Sequence, residues 1–355
     1  MKDKRKVLRP LGSGFAMAVP LFIGILVQDP LISSVGAMGA FSYLAFQHRT
    51  LFYNLRAILT HGAALLLAFI LGAGTALIPW SAPFIIGALS FSAFLLSKVM
   101  RIPKPDYFFV LMLYATGFNF HAAHLGEILH HSSYLLYGIA GSLLAGLVIS
   151  LAEQLPLKEE KTAFQQLSLH EKYSLALSQQ PEMVIKALHF SLILFIATYI
   201  AYLLRDSNGY WILISAAAVL AGEHMEKIKN RTIGRVLGGI VGLLLGFLLM
   251  SLHMPLEAIA VVLIILNILT EFFMPVNYTV ANFFTNPQVL LLMTIGTSFT
   301  PLKLIPLRFS GALIGSVLAM LLIFLMDWAV KQMEQALGSK PETRRIKHNR
   351  MHHHR

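Results

Sequence analysis

Twelve apolar runs follow one another along the chain with short polar breaks between most of them: 11–28, 31–46, 58–77, 82–99, 107–120 and 133–152, then 187–204, 209–222, 233–252, 256–273, 277–296 and 305–328. A helix of about 20 apolar residues matches the hydrocarbon thickness of a bilayer, and several runs reach that length. No soluble fold of this size has a core large enough to hide so much apolar surface. Of the 355 residues 56% are hydrophobic and only 13% are charged, about half the charged share of ordinary soluble domains. The chain therefore reads as all-α, a polytopic membrane helix bundle of about twelve transmembrane helices.

Lysine and arginine positions orient that bundle. With the N-terminus inside and alternate breaks counted, 25 of the 28 Lys and Arg residues fall on one side, and only Arg205, Lys303 and Arg308 fall on the other. Cytoplasmic loops carry such an excess, so both termini are expected in the cytoplasm of a multi-pass plasma-membrane protein. The same asymmetry accounts for the net charge of +11 as topology, so the charge implies no nucleic-acid partner. The absence of cysteine excludes a disulfide framework and thiolate metal sites. The basic start leads into Gly12–Gln28 with no small-residue cleavage site clear of the next run, so the first run reads as a retained helix.

The runs divide into two sets of six, a membrane unit at 1–152 and another at 187–330. Between them 153–186 is polar, with apolar residues spaced for one or two short amphipathic cytoplasmic helices, and 331–355 is a basic tail suited to anionic lipid. Glycines recur at 234, 238, 242 and 246, and Thr60, Ala64, Ala68 and Gly72 keep the same spacing 174 residues earlier. Residues four apart share a helix face, and a stripe of small residues lets helices approach closely in lipid. Helix packing is the favoured reading of the stripe. Six runs per set is an even number, so the expected arrangement is two parallel six-helix repeats, with a site between them. A homodimer is compatible with this plan.

The second and fifth runs of each set are short or interrupted, and matched short segments point to a transporter's site. The fifth run of the second set begins Asn277-Tyr278 and carries Asn282 and Asn286 before Pro287, while its counterpart starts at Tyr107. Two readings stand open for these polar residues: hydrogen bonds between helices, or the lining of a cavity. Arg235, at the start of the glycine-rich helix, is either an anion-attracting group or a positive-inside anchor, and Arg231 reads as an anchor. For a proton relay the candidates are His61, Glu223, His224 and Glu271. His121, His124, Glu127, His130 and His131 cluster in an expected outer loop, where the alternatives are zinc ligation and plain interfacial filling. No phosphate-binding glycine motif and no serine-nucleophile elbow occurs, so neither an enzyme nor a cofactor is expected.

Tyr210-Trp211 opens a short helix and a basic loop follows; Arg231 and Arg235 precede Gly238 and Gly242, and Asn277-Tyr278 starts a later helix. In this pattern the chain resembles the fusaric acid resistance / aromatic acid exporter family of membrane transporters, most clearly over 195–300 and more weakly over 11–150. The first set lacks the Tyr-Trp pair, and its arginine motif is reduced to Arg56 with His61. The resemblance implies export of small organic, often aromatic, carboxylic acids. It places Tyr210, Trp211, Arg235, Asn277, Tyr278, Asn282 and Asn286, with the repeat mates Tyr107 and His61, near the transport path. A passive organic-anion channel of the same architecture is the alternative, followed by an intramembrane enzyme or scaffold.

Overall fold

The computed structural model describes residues 2–104, 107–120, 122–158, 162–204, 209–222, 225–295 and 301–338, and every regular element among them is helical. The first set forms α1 (Lys2–Val27), α2 (Pro30–Gly39) continued by a 3-10 segment (Ala40–Ala45), α3 (Leu51–Ala76), α4 (Ala82–Val99), α5 (Phe108–Phe118), α6 (Leu125–Ser133) and α7 (Leu135–Ala152). The connecting segment holds α8 (Ala163–Gln166) and α9 (Leu169–Gln179). The second set forms α10 (Met183–Leu203), α11 (Tyr210–Leu220), α12 (Met225–Ser251), α13 (Leu256–Phe273), α14 (Tyr278–Thr294) and α15 (Pro301–Gly338).

Eight stretches among the described residues are long and apolar enough to cross a membrane: Val7–Val27, Leu51–Ala76, Pro79–Val99, Leu125–Ala152, Met183–Leu203, Glu226–Ser251, Leu256–Phe273 and Leu304–Met326. They are the first, third, fourth and sixth runs of each set. The second and fifth runs are shorter: α2, α5 and α11 have 10, 11 and 11 residues and α14 has 17. At 1.5 Å per residue an 11-residue helix spans roughly half of a ~30 Å hydrocarbon layer. Local chemistry sets some of these limits. The Asp29 carboxylate accepts from Leu31 N and Pro30 opens α2, while α14 is capped by the Asn277 side chain and interrupted by Pro287.

Helix ends at membrane depth are tolerated only inside protein or against a water-filled cavity. Accordingly, every residue of α11 is buried, and α2 and α5 are mostly buried. A helix apolar on all sides belongs in the interior, and the all-apolar sequence of α11, broken only by Ser215, fits there.

The same positions pair within the two sets: α3 packs along α5 and α12 along α14, α3 also meets α7 and α12 meets α15. Between the sets α1 lies against α13, and α4 lies against α10. Several boundaries differ from the sequence reading, among them the starts of α3 and of the sixth run. The Thr50 hydroxyl accepts from Tyr53 N and starts α3 at Leu51 rather than 58. The sixth run begins at Leu125, so Glu127, His130 and His131 ride on α6 instead of an outer loop. In the connecting segment α8 and α9 each begin with a reciprocal capping box, Thr162 with Gln165 and Ser168 with Glu171.

Candidate functional site

The glycine stripe of α12 forms a ladder against α14. A Cβ at Gly238 would meet Asn282 Cβ at 2.6 Å, one at Gly242 would meet Asn286 Cβ at 2.8 Å, and one at Gly246 would meet Pro287 Cα at 3.2 Å. The ladder is helix packing, the favoured reading of the stripe. The same seam holds the side chains of the two asparagines. Asn282 donates to Tyr278 O at 2.8 Å and Asn286 donates to Asn282 O at 2.9 Å, both within their own helix, and both side chains are buried in the seam. Asn277 is exposed and caps α14, its Oδ1 accepting from Thr279 N and Val280 N.

One turn above that cap the ladder delivers cations to α11. Arg235 donates to the Ser215 hydroxyl at 3.0 Å and to the Tyr278 hydroxyl at 3.4 Å. Arg231 lies 4.7 Å from the centre of the Tyr278 ring and donates to Ala218 O at 2.9 Å. Ala218 O is one of the last carbonyls of α11, which carry the negative end of the helix dipole, so Arg231 neutralises a helix end.

Arg308 completes the arrangement, and the sequence reading left it among the outer-side cations. It lies on α15, only 4% exposed, with its guanidinium 3.7 Å from the centre of the Trp211 ring. Close approach of α15 to α11 puts it there: a Cβ at Gly311 would meet Trp211 Cβ at 2.5 Å, and Gly315 sits on Ile212 O. Tyr210 and Trp211 are buried with ring centres 4.5 Å apart, and the Tyr210 hydroxyl points at Met293 Sδ, 3.7 Å away. Arg235 and Arg308 thus both meet α11, one at Ser215 and the other over Trp211. Among the described residues neither has a carboxylate within ion-pair distance, and Trp211 Nε1, Arg235 Nε and Arg308 Nε are buried without a hydrogen-bond partner. Its exception to the positive-inside pattern was the signal that could have singled out Arg308.

The other expected site residues lie elsewhere. Tyr107 is packed against Phe94 and Phe190 at the start of α5, and His61 sits on α3 with its Nε2 buried and without a hydrogen-bond partner among the described residues. Glu271 on α13 feels the charge of Arg9 on α1. Glu223, His224 and His121 lie outside the described residues. On α6, His131 Nδ1 bonds Glu127 O at 2.9 Å and His130 Nε2 meets the Tyr134 hydroxyl at 3.0 Å, while His124 is exposed. No group of His, Cys, Asp and Glu able to hold a metal occurs among the described residues.

Fold and site together define a multi-pass α-helical membrane protein with a buried cationic centre on its short helix α11. Residues 196–322 match the family described as fusaric acid resistance protein-like, the family the sequence resembles. The matched stretch runs from α10 into α15 and holds Tyr210, Trp211, Arg231, Arg235, Tyr278 and Arg308. No curated protein and no solved structure matched the chain.

Proposed function

We propose that this chain is a plasma-membrane transporter, not an enzyme, that exports small organic acids, aromatic carboxylates among them, by binding the carboxylate between Arg235 and Arg308. The observation that carries this reading is the pair of arginines that meet α11, Arg235 of α12 at Ser215 and Arg308 of α15 over Trp211, with no carboxylate beside them among the described residues. Charges at membrane depth are expensive and mark substrate paths. Arginine's planar fork suits a carboxylate, and a bound anion would bring the two cations into balance. Trp211 offers an aromatic face beside Arg308, and Ser215 and Tyr278 hold Arg235 in place. The match to the fusaric acid resistance protein-like family supports transport of acids.

The twelve runs form two parallel repeats in this reading, supported by the matching pairs α3–α5 and α12–α14 within the sets and α1–α13 and α10–α4 between them. The cation distribution supports cytoplasmic termini. The chemistry of the centre favours a site within the second set, around α11, over one shared evenly between the sets. The test is efflux of radiolabelled aromatic carboxylates from proteoliposomes with and without an imposed proton gradient. Flux in the intact protein and its loss in Arg235→Gln, with the protein still inserted, is expected. Undiminished flux in Arg235→Gln sinks the site, and flux that equilibrates with voltage alone identifies a passive channel.

A further inference from the structure

A second cationic site lies at the other end of the molecule's chemistry, where the connecting segment folds onto the end of α4. A cleft of about 70 Å³, partly open to solvent, is lined by Lys98, Arg101, Phe164, Lys172, Gln179 and Met183 among others, with no carboxylate in its lining among the described residues. Phe164 is its floor: the Arg101 guanidinium lies 4.4 Å and the Lys172 ammonium 5.5 Å from the ring centre. Arg101 also donates to Gln179 Oε1 at 2.9 Å. Its φ of 52° is left-handed, at the position after the α4 cap where glycine is the usual occupant.

Two described acids of this region, Glu171 and Glu182, are engaged elsewhere. Glu171 accepts from Ser168 N and Ser168 Oγ, both at 2.7 Å, and these bonds hold its carboxyl below the usual range. Glu182 pairs with Lys186 at 2.8 Å, which lowers its carboxyl likewise. Among the described residues no carboxylate pairs with Arg101 or Lys172, which leaves their charge over Phe164 for an outside anion. The capping boxes of α8 and α9 fix Phe164 and Lys172 in place, so the cleft is preformed.

We propose that this cleft binds the phosphate headgroup of an anionic phospholipid and so ties the segment joining the two sets to the membrane surface. A lipid is favoured over a dissolved phosphate by position. The α4 crossing stretch ends at Val99, directly before the cleft, which puts Arg101 at headgroup depth. Met100 and Ile102, on either side of Arg101, are apolar and exposed, 39% and 43%, as acyl-chain contacts would be. Basic pockets at the cytoplasmic ends of membrane helices bind anionic headgroups in this manner.

The test reads phosphatidylglycerol retention by native mass spectrometry, on the full chain taken from nanodiscs of phosphatidylcholine doped with phosphatidylglycerol. A membrane-surface cation contributes about a fivefold change in affinity, about 1 kcal/mol, so Arg101→Gln with Lys172→Gln should weaken retention about 25-fold. Phe164→Ala keeps both charges and removes their platform; it should also lower retention, and it keeps the test decisive if the double variant fails to fold. Arg56→Gln, an exposed cation on α3, should leave retention unchanged. Equal retention in the wild type and both cleft variants, or an equal loss in Arg56→Gln, overturns the site. Displacement of phosphatidylglycerol by millimolar inorganic phosphate overturns the lipid assignment in favour of a soluble anion. None of these readouts depends on transport.

Discussion

Arg235 and Arg308 present the plainest conflict between stability and use in the molecule. Burying two like charges near each other destabilises a fold, and replacing buried ions with apolar groups of similar volume is often neutral or stabilising by about 1–4 kcal/mol. Arg308→Met is therefore expected to leave the thermal unfolding midpoint in detergent unchanged or higher. The same substitution removes charge-assisted hydrogen bonds to a carboxylate, at about 1.5–3 kcal/mol, so the midpoint shift on adding an aromatic carboxylate should shrink by at least about tenfold in ligand concentration. A fall in the ligand-free midpoint with ligand response intact would assign Arg308 a structural role. Arg235 was legible in the sequence because it stands in a recognisable run of arginine and glycines. Arg308 was visible only as a charge on the wrong side of the topology, and its burial against Trp211 depends on Gly311 and Gly315 letting α15 close on α11, a tertiary fact.

At the scale of the helix, the α12–α14 seam separates two glycines that look alike in sequence. A Cβ at Gly242 would meet Asn282 O at 2.6 Å and Asn286 Cβ at 2.8 Å, whereas one at Gly239 would meet nothing within 4 Å. Gly242→Ala should destabilise the protein by about 1–3 kcal/mol through overpacking. Gly239→Ala should be neutral or stabilising by up to about 1 kcal/mol, since alanine is the better helix former. Unfolding of the two purified variants side by side checks the contrast, and equal midpoints would mean that the seam is not closed as described. The four-residue period predicted this ladder because it depends only on which residues share a face. The asparagines were less legible: whether an amide reaches across, into a cavity or back to its own helix depends on the room the partner leaves, and here the glycines bring α12 too close for anything but the back-bonded rotamer. The short second and fifth helices were readable from run length and proline, but not the completeness with which α11 is enclosed.

For the whole molecule the open question is whether the two sets move against each other, and the seams between them differ. Where α1 meets α13, a Cβ at Gly14 would meet Ile268 Cγ1 at 2.5 Å, and Ser13, Asn267 and Gln288 form a buried hydrogen-bonded chain. Where α4 meets α10 the contact is mostly apolar, with Phe84 edge-on to Phe195 and the Ser191 hydroxyl donating to Gly87 O at 2.7 Å. A Cβ at Gly87 fits without strain and would have Ser191 Oγ 3.6 Å away, so side chains at these two positions face each other across the seam. The chain has no cysteine of its own, so Gly87→Cys with Ser191→Cys gives one defined cross-link. A carrier that alternates by rocking one set against the other should lose at least about tenfold in carboxylate flux when the disulfide forms, about 1.4 kcal/mol in the barrier, and recover it on reduction. A pore that conducts through a static bundle should pass the same current in both states. Flux through proteoliposomes of the double variant, measured before and after reductant, therefore separates the exporter from the channel without knowledge of the coupling ion, and it does so at the one seam whose side chains leave room to ask.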